Sequence, residues 1–319
     1  MSQASSAVDK NPLNTVEIKR TLMKLFVGGV IFEVTNVEQA RIAERSGGRG
    51  IVLKEEDNGG VNRMADTGKI KELVDAVSLP IIGRVRIGHT VEASLMERAG
   101  ANIIDESELL AFRVGATPID KNKQATPFIC GASTLDEIFK AINSGAAMIR
   151  IVDGSENEDN DNALNLIQTL KNILENKKML IKHLQAKVNI EAMPILPEVP
   201  DDNGDVEESE RTTKLIEINE AIEVIISNSA PVMEKIKTFA ALDKLPVPIF
   251  TAVTHPSPAD AAMLMQNGFD GITVSESIFT GHANPLRYAN SIIKVVANPK
   301  NLNILAEVTE SIGMYAFNN

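Results

Sequence analysis

Short β-rich runs alternate along the chain with longer segments whose apolar residues recur at helical spacing. The strand-like runs are GVIFEV (29–34), GIVLK (50–54), PIIGRV (80–85), ANIIDE (101–106), PFICG (127–131), AMIRIV (147–152), VPIFTAV (247–253) and DGITVS (270–275). Among the segments between them, NVEQARIAERSG (36–47), HTVEASLMERAG (89–100), TLDEIFKAINSG (134–145) and SPADAAMLMQNG (257–268) show the 3.6-residue apolar period of amphipathic helices. Each opens on a residue suited to capping, Asn36, Thr90, Thr134 or Ser257, and closes on glycine, which the left-handed position after a helix favours. A helix, a glycine and then a strand, repeated, is the rhythm of βα units, and eight strands are what a closed parallel barrel needs. The pattern therefore predicts an α/β protein, a single (β/α)8 TIM barrel over residues 16–319, behind a flexible N-terminal segment, residues 1–15.

The rhythm breaks between the sixth and seventh strands. Residues 163–246 form a divergent insertion with two or three helical patterns and an acidic stretch, PEVPDDNGDVEESE (197–210). Its charge density and prolines predict a solvated excursion from the barrel.

Composition narrows the function classes. The chain has 319 residues, 44% of them hydrophobic and 24% charged, as in ordinary soluble proteins. No apolar run approaches the ~20 residues that cross a bilayer, so no membrane role is expected. The opening MSQASSAVDKNP lacks the features of a secretory or organellar leader, which makes the cytoplasm the expected compartment. A single cysteine, Cys130, rules out an internal disulfide and a multi-cysteine zinc site, and its place in an apolar run marks it as a buried small hydrophobe. No cofactor or metal centre is expected. A net charge of −11, with no tryptophan and two tyrosines, argues against nucleic acid as a partner.

In such a barrel the site lies at the C-terminal ends of the strands. Read one by one, those ends carry Glu33, Lys54, Arg84 with Arg86, Asp105 with Glu106 and Glu108, Arg150 with Val152, Thr251 to His255, and Ser275 to Ser277. The mouth is thus densely charged. Within it the stretch PIIGRVRIGHT (80–90) ends an apolar strand on two arginines and a histidine. His89 suits either a helix start or acid–base work.

Several segments in fixed order, GGVIFEVTNVEQARIAE, GGVNRMAD, RVRIGHTVEA, IDESELL, PFICG, AAMIR and PADAAMLMQNGFDGITV, resemble the synthase subunit of glutamine-dependent pyridoxal 5′-phosphate synthase, the Pdx1/SNZ family. The resemblance spans nearly the whole chain apart from its first dozen residues and 163–246. It implies a (β/α)8 lyase that builds pyridoxal phosphate from ribose 5-phosphate, glyceraldehyde 3-phosphate and ammonia delivered by a glutaminase subunit, in hexamers and stacked dodecamers. It further implies two lysines that form imines with substrate. The first belongs at the third strand end, in a pattern like AKARIGH, where this chain has GRVRIGH and Arg84. The second belongs in a pattern like RTKGEPGTGN, where this chain has RIVDGSENEDNDN and Val152.

An imine needs a neutral amine. Arginine stays protonated to above about pH 12 and its delocalised guanidinium is a poor nucleophile, while valine has no nitrogen to offer. The implied phosphate sites are altered as well. The glycine-rich loop after the second lysine is acidic here, from Asp153 to Asp161; Val253 and Thr254 replace a glycine pair; and Ser275, Glu276, Ser277 replace Gly-Ser-Gly. Bare backbone N–H groups must approach a phosphate closely, and carboxylates repel it. The segment after the second strand, LKEEDNGGVNRM, is shorter than the family's covering helix, and the chain stops at SIGMYAFNN, short of its C-terminal tail.

The expectation is a catalytically inactive, divergent member, a pseudoenzyme of vitamin B6 biosynthesis that assembles with or regulates active synthase subunits. Its partners would be copies of itself in a hexamer or dodecamer, or active Pdx1 paralogues, with the glutaminase a weaker candidate through VEIKRTLMKLFVGG. Glu33, Arg84, Asp105 and Val152 are vestigial positions, and Arg86 and Arg150 are the remaining candidates for substrate binding. Two alternatives are an active lyase with a relocated nucleophile at Lys54, and a sensor of phosphometabolites.

Overall fold

A computed structural model of the chain describes residues 15–54, 64–107, 118–133, 135–151, 164–165, 167–168 and 245–312. Eight parallel strands close into a barrel in sequence order: β1 Gly29–Val34, β2 Gly50–Leu53, β3 Ile81–Val85, β4 Ile103–Glu106, β5 Phe128–Ala132, β6 Met148–Ile151, β7 Ile249–Val253 and β8 Gly271–Val274. Pairing of Gly29 with Gly271 and of Phe32 with Val274 joins β8 back to β1 and leaves no open edge. Outside them lie α1 Val16–Met23, α2 Val37–Ser46, α3 Thr67–Ala76, α4 Thr90–Ala99, α5 Leu135–Asn143, α6 Pro258–Asn267, the short α7 Ser277–Thr280, α8 Pro285–Ala297 and α9 Leu302–Ile312. The expected barrel is the observed one. The expected insertion falls almost wholly outside the described residues, as do the segment 1–14 and the acidic stretch 197–210.

The helix ends show why the sequence punctuates the fold so clearly. Asn36 accepts the Gln39 N–H at 3.0 Å to open α2. Ser257 and Asp260 form a reciprocal capping box at the start of α6. Gly47, Gly100, Gly145 and Gly268 take φ between 90° and 108° where helices turn back to strands, a conformation that side-chain-bearing residues rarely adopt. One cap differs from expectation: α4 is opened by His89, whose Nδ1 accepts the Glu92 N–H at 3.3 Å, and Thr90 is the first helical residue.

Because side chains two apart share a strand face, the barrel interior is layered. Ile31, Val52, Ile82, Ile103, Ile129, Met148 and Phe250 form one apolar cluster, joined by Met23 of α1 and by Phe26, which follows it. Phe250 fits only because β8 begins on glycine: a Cβ on Gly271 would lie 2.2 Å from its ring and 2.7 Å from the Gly29 carbonyl oxygen. At the same end, α1 is held by two cations, buried Lys19 and half-buried Arg20. Lys19 donates to the carbonyls of Lys121 and Gln124, and Arg20 to those of Ile142 and Ala146. Among the described residues, no helix is long and apolar enough to cross a membrane.

Candidate functional site

Two residues beyond the apolar layer, on the same strand faces, the chain switches to charge. Ile31 is followed by Glu33, Val52 by Lys54, Ile82 by Arg84, Ile103 by Asp105 and Met148 by Arg150. The same alternation that fills the barrel bottom with aliphatic side chains therefore puts five ionisable groups into its mouth.

Arg84 is the hinge of this layer. Its guanidinium donates to Glu33 on β1 and, through Nε at 3.4 Å, to Asp105 on β4. The Oδ2 of Asp105 also receives Nη2 of Arg150 at 3.0 Å. All four residues are buried. Burial opposes the Glu33 charge, but Arg84 and Arg150 overcome it and hold this carboxyl below the usual carboxylate range. Burial likewise opposes the Arg84 charge, and Glu33 and Asp105 outweigh it, so Arg84 is driven still further from deprotonation. Arg150 moves the other way, lowered by burial and by Arg84 against the pull of Asp105, although an arginine's ordinary value lies so high that it keeps its charge at neutral pH. Among the described residues, Asp105 Oδ1, Ser107 Oγ and Arg150 Nε and Nη1 are buried without a hydrogen-bond partner.

Lys54 extends the layer outward. Its amine contacts both carboxylate oxygens of Glu276, at 2.7 and 2.8 Å, tying the end of β2 to the loop after β8. Around Glu276 the loop is knitted to β7. The Ser275 N–H donates to the Val253 carbonyl at 3.1 Å, the Ser277 hydroxyl donates to the Thr254 carbonyl at 2.5 Å, and the Ser277 N–H donates to the Ser275 hydroxyl at 3.2 Å.

Arg86 stands apart from this network. It binds Glu92 of α4, with Nη2 at 2.6 Å, Nε at 2.8 Å and the backbone N–H at 3.0 Å. Glu106 also leaves the mouth layer, since it is the odd neighbour of Asp105 along the strand. It accepts the Gly88 and Ile119 N–H groups at 2.8 Å each and pairs with buried Lys121 at 2.5 Å. Burial opposes the Lys121 charge, and Cys130 and Glu106 more than restore it, while burial pushes the Cys130 thiol up to about 12. Ile87, Glu106, Lys121, Cys130, Lys140 and Ser144 are among the residues around a cavity of about 280 Å³ here. Lys121 lies in the polar run DKNKQ, which reads as solvated surface, so nothing in the local sequence marked it as buried. Val152, Glu108, the acidic loop 153–161, Glu55 to Asp57 and the C-terminal 313–319 lie outside the described residues.

The geometry is thus a barrel mouth in which described cations meet carboxylates and in which an arginine, flanked by two acids, ends the third strand. The SOR/SNZ family model matches residues 15–221. Relatives named pyridoxal 5′-phosphate synthase subunit PdxS align over nearly the full chain. The protein of Methanothermobacter thermautotrophicus is 37% identical over 305 residues, covering 94% of this chain and 91% of the relative. That of Dictyoglomus turgidum is 34% identical, with 94% and 90% covered, and that of Treponema denticola 36%, with 90% of each covered. The chain belongs to the SOR/SNZ family. It is thereby a member of a vitamin B6 biosynthesis family.

Proposed function

We propose that this SOR/SNZ member is a non-catalytic subunit that acts by assembling with active pyridoxal 5′-phosphate synthase subunits, or by regulating them. The observation that carries this reading is Arg84. At the third strand end, where the resemblance calls for an imine-forming lysine, stands a buried guanidinium held between Glu33 and Asp105. It has no free amine lone pair, and its two carboxylates oppose any loss of its proton. Val152, at the second position where a lysine is implied, cannot form an imine by its identity alone.

A relocated nucleophile at Lys54 is disfavoured by its ion pair with both oxygens of Glu276, since a neighbouring anion favours the protonated, non-nucleophilic amine. The sensor reading draws support from the buried unpartnered atoms of Asp105, Ser107 and Arg150, because such groups cost stability unless something satisfies them. A thermal shift with phosphosugars or pyridoxal phosphate is its signature.

The deciding experiment is intact mass after borohydride reduction with ribose 5-phosphate, run beside an active relative. No adduct on this chain with the relative labelled is the expected result; an adduct lost in Lys54→Ala would establish a living enzyme. In parallel, native mass spectrometry of this chain mixed with active subunits is expected to show mixed rings. A chain that stays monomeric and never joins them removes the assembly role.

A further inference from the structure

The turn that carries the chain from β3 into α4 is built round one titratable ring. His89 accepts the Glu92 N–H on Nδ1 at 3.3 Å and so caps α4. Its Nε2 stands 3.8 Å from Oε1 of the same residue's carboxylate. That carboxylate is already taken by Arg86, through Nη2 at 2.6 Å, Nε at 2.8 Å and the backbone N–H at 3.0 Å. The side chain of Glu92 is 6% exposed, that of Arg86 31% and that of His89 40%, so the imidazole and the guanidinium reach solvent while the anion between them does not. From β4, Glu106 braces the turn by accepting the Gly88 N–H at 2.8 Å, and its own charge is met by Lys121. Among the described residues, Glu92 is the carboxylate within ion-pair distance of the imidazole.

We infer that His89 is a pH-operated latch on the entrance of α4, holding the helix cap while its ring is neutral and competing with Arg86 for Glu92 once it is protonated. The two roles exclude each other chemically. A ring nitrogen accepts an N–H only through its lone pair, and protonation turns both nitrogens of an imidazole into donors. The cap contact is therefore complete while the ring is neutral and is lost as pH falls through the interval in which imidazoles take up a proton. The imidazolium has an alternative at hand, because closing the 3.8 Å gap gives it a charge-assisted hydrogen bond to the Glu92 carboxylate. Glu92 then serves two cations. Arg86 is held less exclusively, and the half-exposed guanidinium beyond the third strand gains freedom. A threonine in the capping position would give no such response, since a hydroxyl accepts at any pH in this interval.

Hydrogen–deuterium exchange of the full chain, read by mass spectrometry at about pH 7.5 and about pH 5.5, spans the protonation. Labelling times are scaled for the intrinsic pH dependence of exchange. In the unaltered chain, protection of the peptide containing the Glu92 amide is expected to fall roughly fivefold on acidification, the size of a lost cap. In His89→Asn, whose amide oxygen accepts without titrating, protection should stay level. In Glu92→Gln the fall should move to lower pH, because no carboxylate then attracts the proton. Equal protection at both pH values in the unaltered chain overturns the inference, as does an equal fall in His89→Asn. A fall that stays in place in Glu92→Gln removes the competition with Arg86 and overturns the latch as well. Should His89→Asn fail to fold, His89→Thr supplies another acceptor that does not titrate. The inference does not depend on whether imine chemistry or assembly is retained.

Discussion

Arg84 owes its place to the two acids it separates, and replacing it exposes what each was relying on. In Arg84→Met, Glu33 loses its contact cation and Asp105 keeps only Arg150. Breaking a buried pair by removing one partner costs roughly 3–5 kcal/mol, because it strands a charge. We predict a loss of that size in urea unfolding, with much of it recovered in Arg84→Met combined with Glu33→Gln. The pH dependence has a definite sign. Glu33 is held below its ordinary value of 4.5 when folded, so its contribution is fully present above that value and is lost as pH falls through the depressed one. Acid unfolding should consequently begin at a higher pH in Arg84→Met than in the unaltered chain. Cys130 offers a second check. With its thiol buried and raised to about 12, the native protein should leave a thiol reagent such as Ellman's unreacted at pH 8, and the unfolded chain should titrate a single thiol.

At the scale of elements, the barrel was legible because strand alternation and helix punctuation were both clean. All eight strand runs are present, each within two residues of its expected start. Alternation also carries the site, since it places Glu33, Arg84, Asp105 and Arg150 above the aliphatic layer. What it could not supply was partnership. Arg86 is as close to the strand end as Arg84 in sequence, but its salt bridge is with Glu92, six residues on and folded back by α4. The His89 cap displaced the expected Thr90 because an imidazole nitrogen accepts an N–H as a hydroxyl does. Lys121 was hidden for a different reason: its burial depends on Glu106 and Cys130 from other strands. Closure of the barrel gives the prediction proper to this scale. Gly271→Ala must move Phe250 or the strand beside it, and overpacking of this kind costs typically about 1–3 kcal/mol. A lowered melting midpoint with an unchanged urea slope is the expected outcome, and a neutral Gly271→Ala would show that Phe250 has room to shift.

For the whole molecule, the family and the fold are firm, and the proposed role is a contribution that needs no imine chemistry. If assembly is that contribution, adding this chain to an active relative should change activity per active subunit, measured as pyridoxal phosphate formed. A mixture whose rate is indifferent to this chain would argue that it works alone. Arg84 and Val152, at the two positions where the resemblance implies lysines, are read from the sequence alone. The sequence was silent on the pairing of Lys54 with Glu276, because residues separated by more than two hundred positions meet only once the barrel closes.

The paired mouth groups, Glu33, Asp105 and Glu276 against Lys54, Arg84 and Arg150, balance in charge, and that balance has a consequence for encounter. A positive funnel draws anionic metabolites inward and speeds their capture, most strongly at low salt. Here the described mouth residues cancel one another, while the chain as a whole carries −11. A phosphorylated sugar diffusing toward this barrel meets a distant repulsion that salt screens within about a nanometre, and the described mouth residues supply no net inward field to offset it. Its arrivals should grow more frequent as salt is added, the reverse of what a phosphate-gathering enzyme shows.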